Sequence, residues 1–109
     1  MRMWLVDPIF MCRKHLIAEH CELHTFVGTI KKGTSLTGYV RNNLLESSSI
    51  QKRHDVLVNE MLKRGYKHNS PLNYQDTLNL GQIDKTKSFT ALMERCQECR
   101  NRLSANVII

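Results

Sequence analysis

From Asp7 to Ile30 apolar residues recur at Cys12, Leu16, Leu23, Val27 and Ile30, three, four or seven positions apart. That spacing matches the 3.6-residue turn of an α-helix and predicts one long amphipathic helix. Asp7-Pro8 supplies its start, an N-cap side chain followed by a proline whose missing N–H costs nothing there. Gly33 ends it. A helix this long must lay its apolar stripe on other elements, and two further stretches have the matching pattern. Ile50, Leu57, Val58, Met61 and Leu62 form one, with Ser48 and Gln51 at capping-box spacing and Gly65 as its stop. Phe89, Leu92, Met93, Cys96 and Leu103 form the other, a third helix from about Asp84 to Leu103. Residues 33–48 and 66–83 lack a period and carry turn residues, Pro71 and Gly81 among them, so they read as loops. The apolar tail SANVII closes the chain. No strand alternation and no internal repeat interrupts this pattern. The expected fold is all-α, a small single domain over residues 1–109 with three main helices and long irregular loops.

Trp4, Leu5 and Val6 precede the first helix, and their hydrophobicity predicts burial. Arg2 is too large to permit removal of the initiator methionine, so the Met1 α-amine is expected to stay on the chain, held near the body of the fold. The start lacks the apolar core of a signal peptide, and no run approaches the roughly 20 apolar residues of a spanning helix. These features predict a cytoplasmic protein, in the host cytoplasm if the source is viral, with no membrane partner. The formal net charge is +6 and the sequence pI about 9.4, a balance that favours an anionic partner, most often nucleic acid.

On the first helix, Met11, His15, Ala18, Glu22 and Thr25 share one stripe. His15 and Glu22 lie two turns apart, about 10 Å along the axis. By themselves, a histidine and a glutamate on a helix more often face water than substrate. His20 and His24 form an i,i+4 pair, a spacing that suits a metal but is usually just solvated. Arg13-Lys14 and Lys31-Lys32 bracket the helix with charge fit to grip phosphates. Four cysteines are present, Cys12, Cys21, Cys96 and Cys99. Disulfides are disfavoured in a cytosolic chain. Cys96-x2-Cys99 has zinc-like spacing, but it is the only CxxC, it falls inside the predicted third helix, and Cys96 lies on the apolar stripe. The spacing therefore favours small buried hydrophobes over a metal site, and neither a metal nor another cofactor is expected.

The segments HLIAEHCEL, GTIKK and KRHDVLVNEMLKRGY resemble, in order and in distance from the N-terminus, the phage-type pyrimidine-dimer DNA glycosylases, also called endonuclease V of that type. The resemblance covers residues 1 to about 72. It implies that the N-terminal α-amine, here that of Met1, attacks the sugar C1′ of a damaged nucleotide. The base leaves, a Schiff base forms, and β-elimination breaks the strand. It further implies that Glu22 assists, that His15 lies in the same site and that Arg2 follows the nucleophile as a DNA contact. An α-amine has an ordinary pKa of about 7.7–8.0, so a useful share is neutral and nucleophilic at cellular pH. A nearby carboxylate can stabilise charge on the sugar or move a proton, while the base is extruded from the duplex.

This chain departs from the familiar members in three ways. They start with a small residue exposed by methionine removal, where Met1 stands here. Two arginines flanking their catalytic glutamate correspond to Cys21 and Thr25, so phosphate contacts are expected instead from Lys14, His20 and His24, with Arg2, Arg13, Lys31, Lys32 and His54 completing the set. Their aromatic-rich C-terminal segment is replaced by the Cys96–Cys99 helix. The expected activity is that of a monomeric glycosylase and AP lyase on damaged double-stranded DNA, most simply on cyclobutane pyrimidine dimers, and the resemblance points to a phage source. A non-catalytic DNA-binding module of the same fold is the alternative, and a small zinc-stabilised interaction protein is the third reading.

Overall fold

The computed structural model describes residues 1–107, so the last two residues of the apolar tail, 108–109, lie outside the described residues. Among the described residues five α-helices run in chain order: α1 (Arg13–Lys32), α2 (Thr37–Arg41), α3 (Ile50–Lys63), α4 (Lys85–Arg95) and α5 (Gln97–Asn106). No described helix is long and apolar enough to cross a membrane.

The long helix predicted from Asp7 divides in two. Asp7 caps only a single 3-10 turn, Pro8–Phe10, by accepting from the Ile9 N–H at 3.1 Å. The chain then extends through Met11 and Cys12 before α1 begins. Gly33 ends α1 in the left-handed conformation (φ 71°) that favours glycine. The stretch read as a loop at 33–48 contains the short α2, whose five residues offer too few periods for a pattern to register. The capping box at Ser48 is not used. The Ser49 hydroxyl instead donates to Glu46, and Ser47–Ser49 form a 3-10 turn leading into α3. The predicted third helix breaks at Cys96, whose extended backbone (φ −128°, ψ 113°) separates α4 from α5.

The core lies where α1 and α3 cross, and Leu16, Leu23 and Phe26 from α1 meet Ile50 and Leu57 from α3, all fully buried. Each such side chain contributes about 1.5–3 kcal/mol on burial. Leu62, expected on the apolar face of α3, is exposed. Residues 1–7 carry no regular structure yet run through this core. Met3, Trp4 and Val6 are buried, and the Met3 N–H donates to the Leu44 carbonyl at 2.8 Å. The irregular segment before α4 is organised by Asp76, which accepts from the Tyr74 hydroxyl (2.6 Å), the Ser47 hydroxyl (3.1 Å) and the Asn79 N–H (2.9 Å). Burial raises the Asp76 pKa, but these donors outweigh it and hold the carboxyl below its ordinary range. Gly81 (φ 77°) crosses Leu45 so closely that an added Cβ would lie 2.1 Å from its carbonyl oxygen, so only glycine fits.

Two polar clusters lie inside the α1–α3 interface. Glu19, fully buried, pairs with the nearly buried Arg53 through two hydrogen bonds, Nε to Oε2 at 2.6 Å and Nη2 to Oε1 at 3.0 Å. Neither residue stood out in the sequence, because a charge on an apolar face breaks the pattern that reveals such faces. The second cluster overturns an expectation. His20 and His54 are 5% and 3% exposed, too deep to reach a DNA phosphate. They pack with His24 and His68, ring centroids about 5 Å apart. His20 Nε2 and His68 Nε2 share a hydrogen bond at 3.0 Å, which requires one nitrogen to donate and the other to accept.

Two predictions follow from these clusters. Glu19→Gln leaves a buried guanidinium without its counter-charge and should destabilise the fold by about 3–5 kcal/mol, read from urea unfolding; a wild-type midpoint in the variant would refute the pairing. Burial, then the neighbouring His54, His24 and His68, lowers the His20 pKa from 6.5 to about 4. The folded state thus refuses a proton that the unfolded chain accepts below pH 6.5. Its contribution is complete above that pH and is lost as pH falls toward 4, with a slope of at most about 1.4 kcal/mol per unit. Stability measured across this window should be flatter for His20→Gln than for the parent chain, and parallel curves would remove His20 from the account.

Candidate active site

The N-terminal segment is tied down at successive residues. The Arg2 backbone N–H donates to Glu22 Oε2 at 3.0 Å, across twenty residues of sequence. Glu22 therefore stands beside the peptide unit that links Met1 to Arg2, one residue from the exposed Met1 that carries the α-amine. On α1, Glu22 flanks the stripe that Leu16, Leu23 and Phe26 bury, and the N-terminal segment meets it there. The carboxylate stays partly open to solvent.

Arg2 was expected as a phosphate contact, but its side chain folds inward. Its Cζ lies 3.7 Å from the Trp4 ring centroid, and its Nη2 donates to the Ser88 hydroxyl at 3.2 Å. Its Nε is enclosed without a partner. Desolvation, followed by the charge of Arg95, lowers the Arg2 pKa, while Glu19 and Glu22 act in the opposite sense. Ser88 in turn donates to the Trp4 carbonyl. Arg95 stands 5.3 Å from the same indole. Trp4 is thus flanked by two cations, one of them from the C-terminal part of the chain. Ser88 and Arg95 were missed in the sequence because nothing in helical periodicity relates α4 to residues 1–4.

His15 does not take the position expected of it. Its Nδ1 lies 3.2 Å from Cys12 Sγ and 3.8 Å from Cys99 Sγ, and the edge of its ring meets Trp4 at a centroid separation of 5.8 Å. It borders the site through the indole, with its Nδ1 occupied by thiols. Of the other expected DNA contacts, Arg13, Lys14, Lys31 and Lys32 are exposed, at the two ends of α1. His24 is half-buried with its Nε2 enclosed and unpartnered. Cys21, immediately before Glu22, and Thr25, three residues after it, are exposed and carry no fixed positive charge.

Among the described residues, two groups of side chains bring metal-ligating atoms within 4.8 Å of one another: Cys12, His15, Cys96 and Cys99, and His20, His54 and His68. In the second group both ring nitrogens of His54 face oxygen acceptors, Asp55 Oδ1 at 3.1 Å and the Ser70 carbonyl at 3.2 Å. His54 Nε2 lies against the Ser70 carbonyl while His20 and His68 bond each other, so the trio is a hydrogen-bonded cluster.

No curated protein and no solved structure matches the chain significantly. A family model described as pyrimidine dimer DNA glycosylase matches residues 1–74, the segment that holds Met1, Arg2, Glu22 and the whole α1–α3 core. On that match, spanning about two thirds of its length, the chain belongs to the pyrimidine dimer DNA glycosylase family.

Proposed function

We propose that the protein excises damaged pyrimidines from double-stranded DNA, with cyclobutane dimers as the first substrate to test, and then cleaves the strand as an AP lyase. The observation that carries this reading is the Arg2 N–H to Glu22 Oε2 hydrogen bond, which anchors the residue after Met1 to a carboxylate. The neutral amine attacks C1′ of the sugar. The N–C1′ bond forms as the glycosidic bond breaks, and the base departs with the bonding pair and is protonated. Opening of the sugar ring leaves a protonated imine. Loss of a C2′ proton then expels the 3′ phosphate by β-elimination. Glu22 has two tasks in this scheme. As an anion it stabilises positive charge developing on the sugar, and as a base it moves the ring-opening proton.

The remaining residues support the same chemistry. Arg2, stacked on Trp4 and bonded to Ser88, acts as a positioning residue for the segment that carries the amine. Arg13, Lys14, Lys31 and Lys32 offer exposed cations along one helix, spaced to contact phosphates on either side of an extruded nucleotide. Cys21 and Thr25 give no charge at the centre of that face, so backbone grip falls to its two ends.

Borohydride reduction of protein with a verified free N-terminal amine, mixed with ultraviolet-irradiated duplex or with an abasic-site duplex, should trap a covalent adduct on Met1. Lack of adduct on either duplex would favour the non-catalytic DNA-binding module. Glu22→Gln retains an oxygen to accept from Arg2 but removes the charge. It should slow strand cleavage by about 100-fold or more, with DNA affinity nearly unchanged. Cleavage at the parent rate would take Glu22 out of the mechanism.

A further inference from the structure

The break between α4 and α5 puts Cys96 in a turn. Cys96 is the N-cap of α5, and its Sγ accepts from the Cys99 N–H at 3.4 Å. The start of α1 repeats the device. Cys12 is the N-cap of α1, with extended backbone (φ −68°, ψ 163°), and its Sγ accepts from the His15 N–H at 3.4 Å. Two turns of the form Cys-x2-Cys and Cys-x2-His, distant in sequence, thus face each other. Cys12 Sγ lies 3.8 Å from Cys96 Sγ, and the Cys12 N–H donates to Cys99 Sγ at 3.3 Å.

The distances match one coordination geometry. Zinc binds thiolate sulfur at about 2.3 Å and imidazole nitrogen at about 2.0–2.1 Å in a tetrahedron, so donor atoms stand about 3.8 Å apart for two sulfurs and about 3.5 Å for sulfur and nitrogen. The observed sulfur pair is 3.8 Å apart, and the two sulfur–nitrogen distances, 3.2 and 3.8 Å, bracket the second value. All four cysteines of the chain are free thiols, and the fourth, Cys21, is exposed and apart from this group. We propose that Cys12, His15, Cys96 and Cys99 bind one zinc ion as a closed structural site, which reverses the expectation of no metal drawn from spacing alone.

The surroundings suit such an ion. Three thiolates, a neutral imidazole and Zn²⁺ carry a net charge of −1. Lys14 and Arg95 stand near enough to act on His15 electrostatically, with Glu22 acting in the opposite sense. Arg13 and Lys14 also occupy the first turn of α1, where cations oppose the helix dipole, and an anionic complex at that terminus compensates them. Backbone N–H groups of His15, Cys99 and Cys12 already point at sulfur, the donors that steady metal-bound thiolates. Four protein ligands leave no open position, so the ion's role is to fasten rather than to react. It would fasten the α4–α5 turn, which lies beyond the family-matched residues, to the start of the helix that carries Glu22.

The test needs no DNA and stands apart from the glycosylase reading. Untagged chain purified with reductant in zinc-containing buffer should hold one zinc per chain by elemental analysis. Cobalt exchanged into it should show the visible bands of a tetrahedral thiolate complex. Chelation should lower the Tm by about 10 °C or more. With zinc bound, a thiol reagent should modify Cys21 alone, and the other three cysteines should react only after chelation. This measurement on the parent chain covers the case in which Cys99→Ser fails to fold. Where it folds, Cys99→Ser should lose stoichiometric metal, while Cys21→Ser should keep it. Substoichiometric metal after reconstitution, immediate reaction of all four thiols, or full zinc retained by Cys99→Ser would each overturn the site.

Discussion

The passage of residues 1–7 through the interior is the constraint on which the rest of the molecule depends. A chain end is ordinarily the least ordered part of a domain, yet here Met3, Trp4 and Val6 are buried and the segment is bonded to three separate regions. Met3 reaches the turn after α2, Trp4 and Arg2 reach Ser88 on α4, and the Arg2 amide reaches Glu22 on α1. With no regular structure of its own, the segment satisfies its backbone groups only by borrowing partners from those elements. Each bond therefore orders both sides, and the position of the first residue becomes a property of the whole fold.

The α1–α3 interface shows a related economy. Its apolar side chains are interrupted by a buried ion pair and a cluster of four histidines. Such groups contribute little net stability compared with well-packed hydrophobes, because desolvation offsets most of the Coulombic attraction. Their geometric demands are strict, however. The two-point Glu19–Arg53 fork ties α3 to the same helix, α1, that carries Glu22.

The C-terminal third, outside the family match, is not an appendage. It supplies Ser88 and Arg95 around Trp4 and two of the four converging ligand atoms near His15. Trp4 is the common neighbour, touched by Arg2, Arg95 and His15. Trp4 therefore connects the thiol–imidazole group, through His15, to Arg2, whose amide bonds Glu22.

Much of this was legible in the residues themselves. Leu16, Leu23 and Val27, and Ile50, Leu57 and Met61, announced α1 and α3 because periodic burial leaves a periodic sequence. The three quoted segments pointed to the family, and burial of Trp4 and Val6 followed from hydrophobicity alone. Other features left no local trace. His20 and His54 read as surface cations, since a histidine in a polar cluster looks the same in sequence whether the cluster faces water or the core. Cys96 read as mid-helix because an extended N-cap between two abutting helices leaves the apolar spacing intact. The pairing of Glu19 with Arg53, of Glu22 with the Arg2 amide, and of Cys12 and His15 with Cys96 and Cys99 joins residues 20 to 87 positions apart. The sequence by itself determined the helices and their apolar faces, because those depend on near neighbours along the chain. Only the tertiary structure decided which polar groups meet, because that depends on the rotation and crossing of helices that no local spacing records.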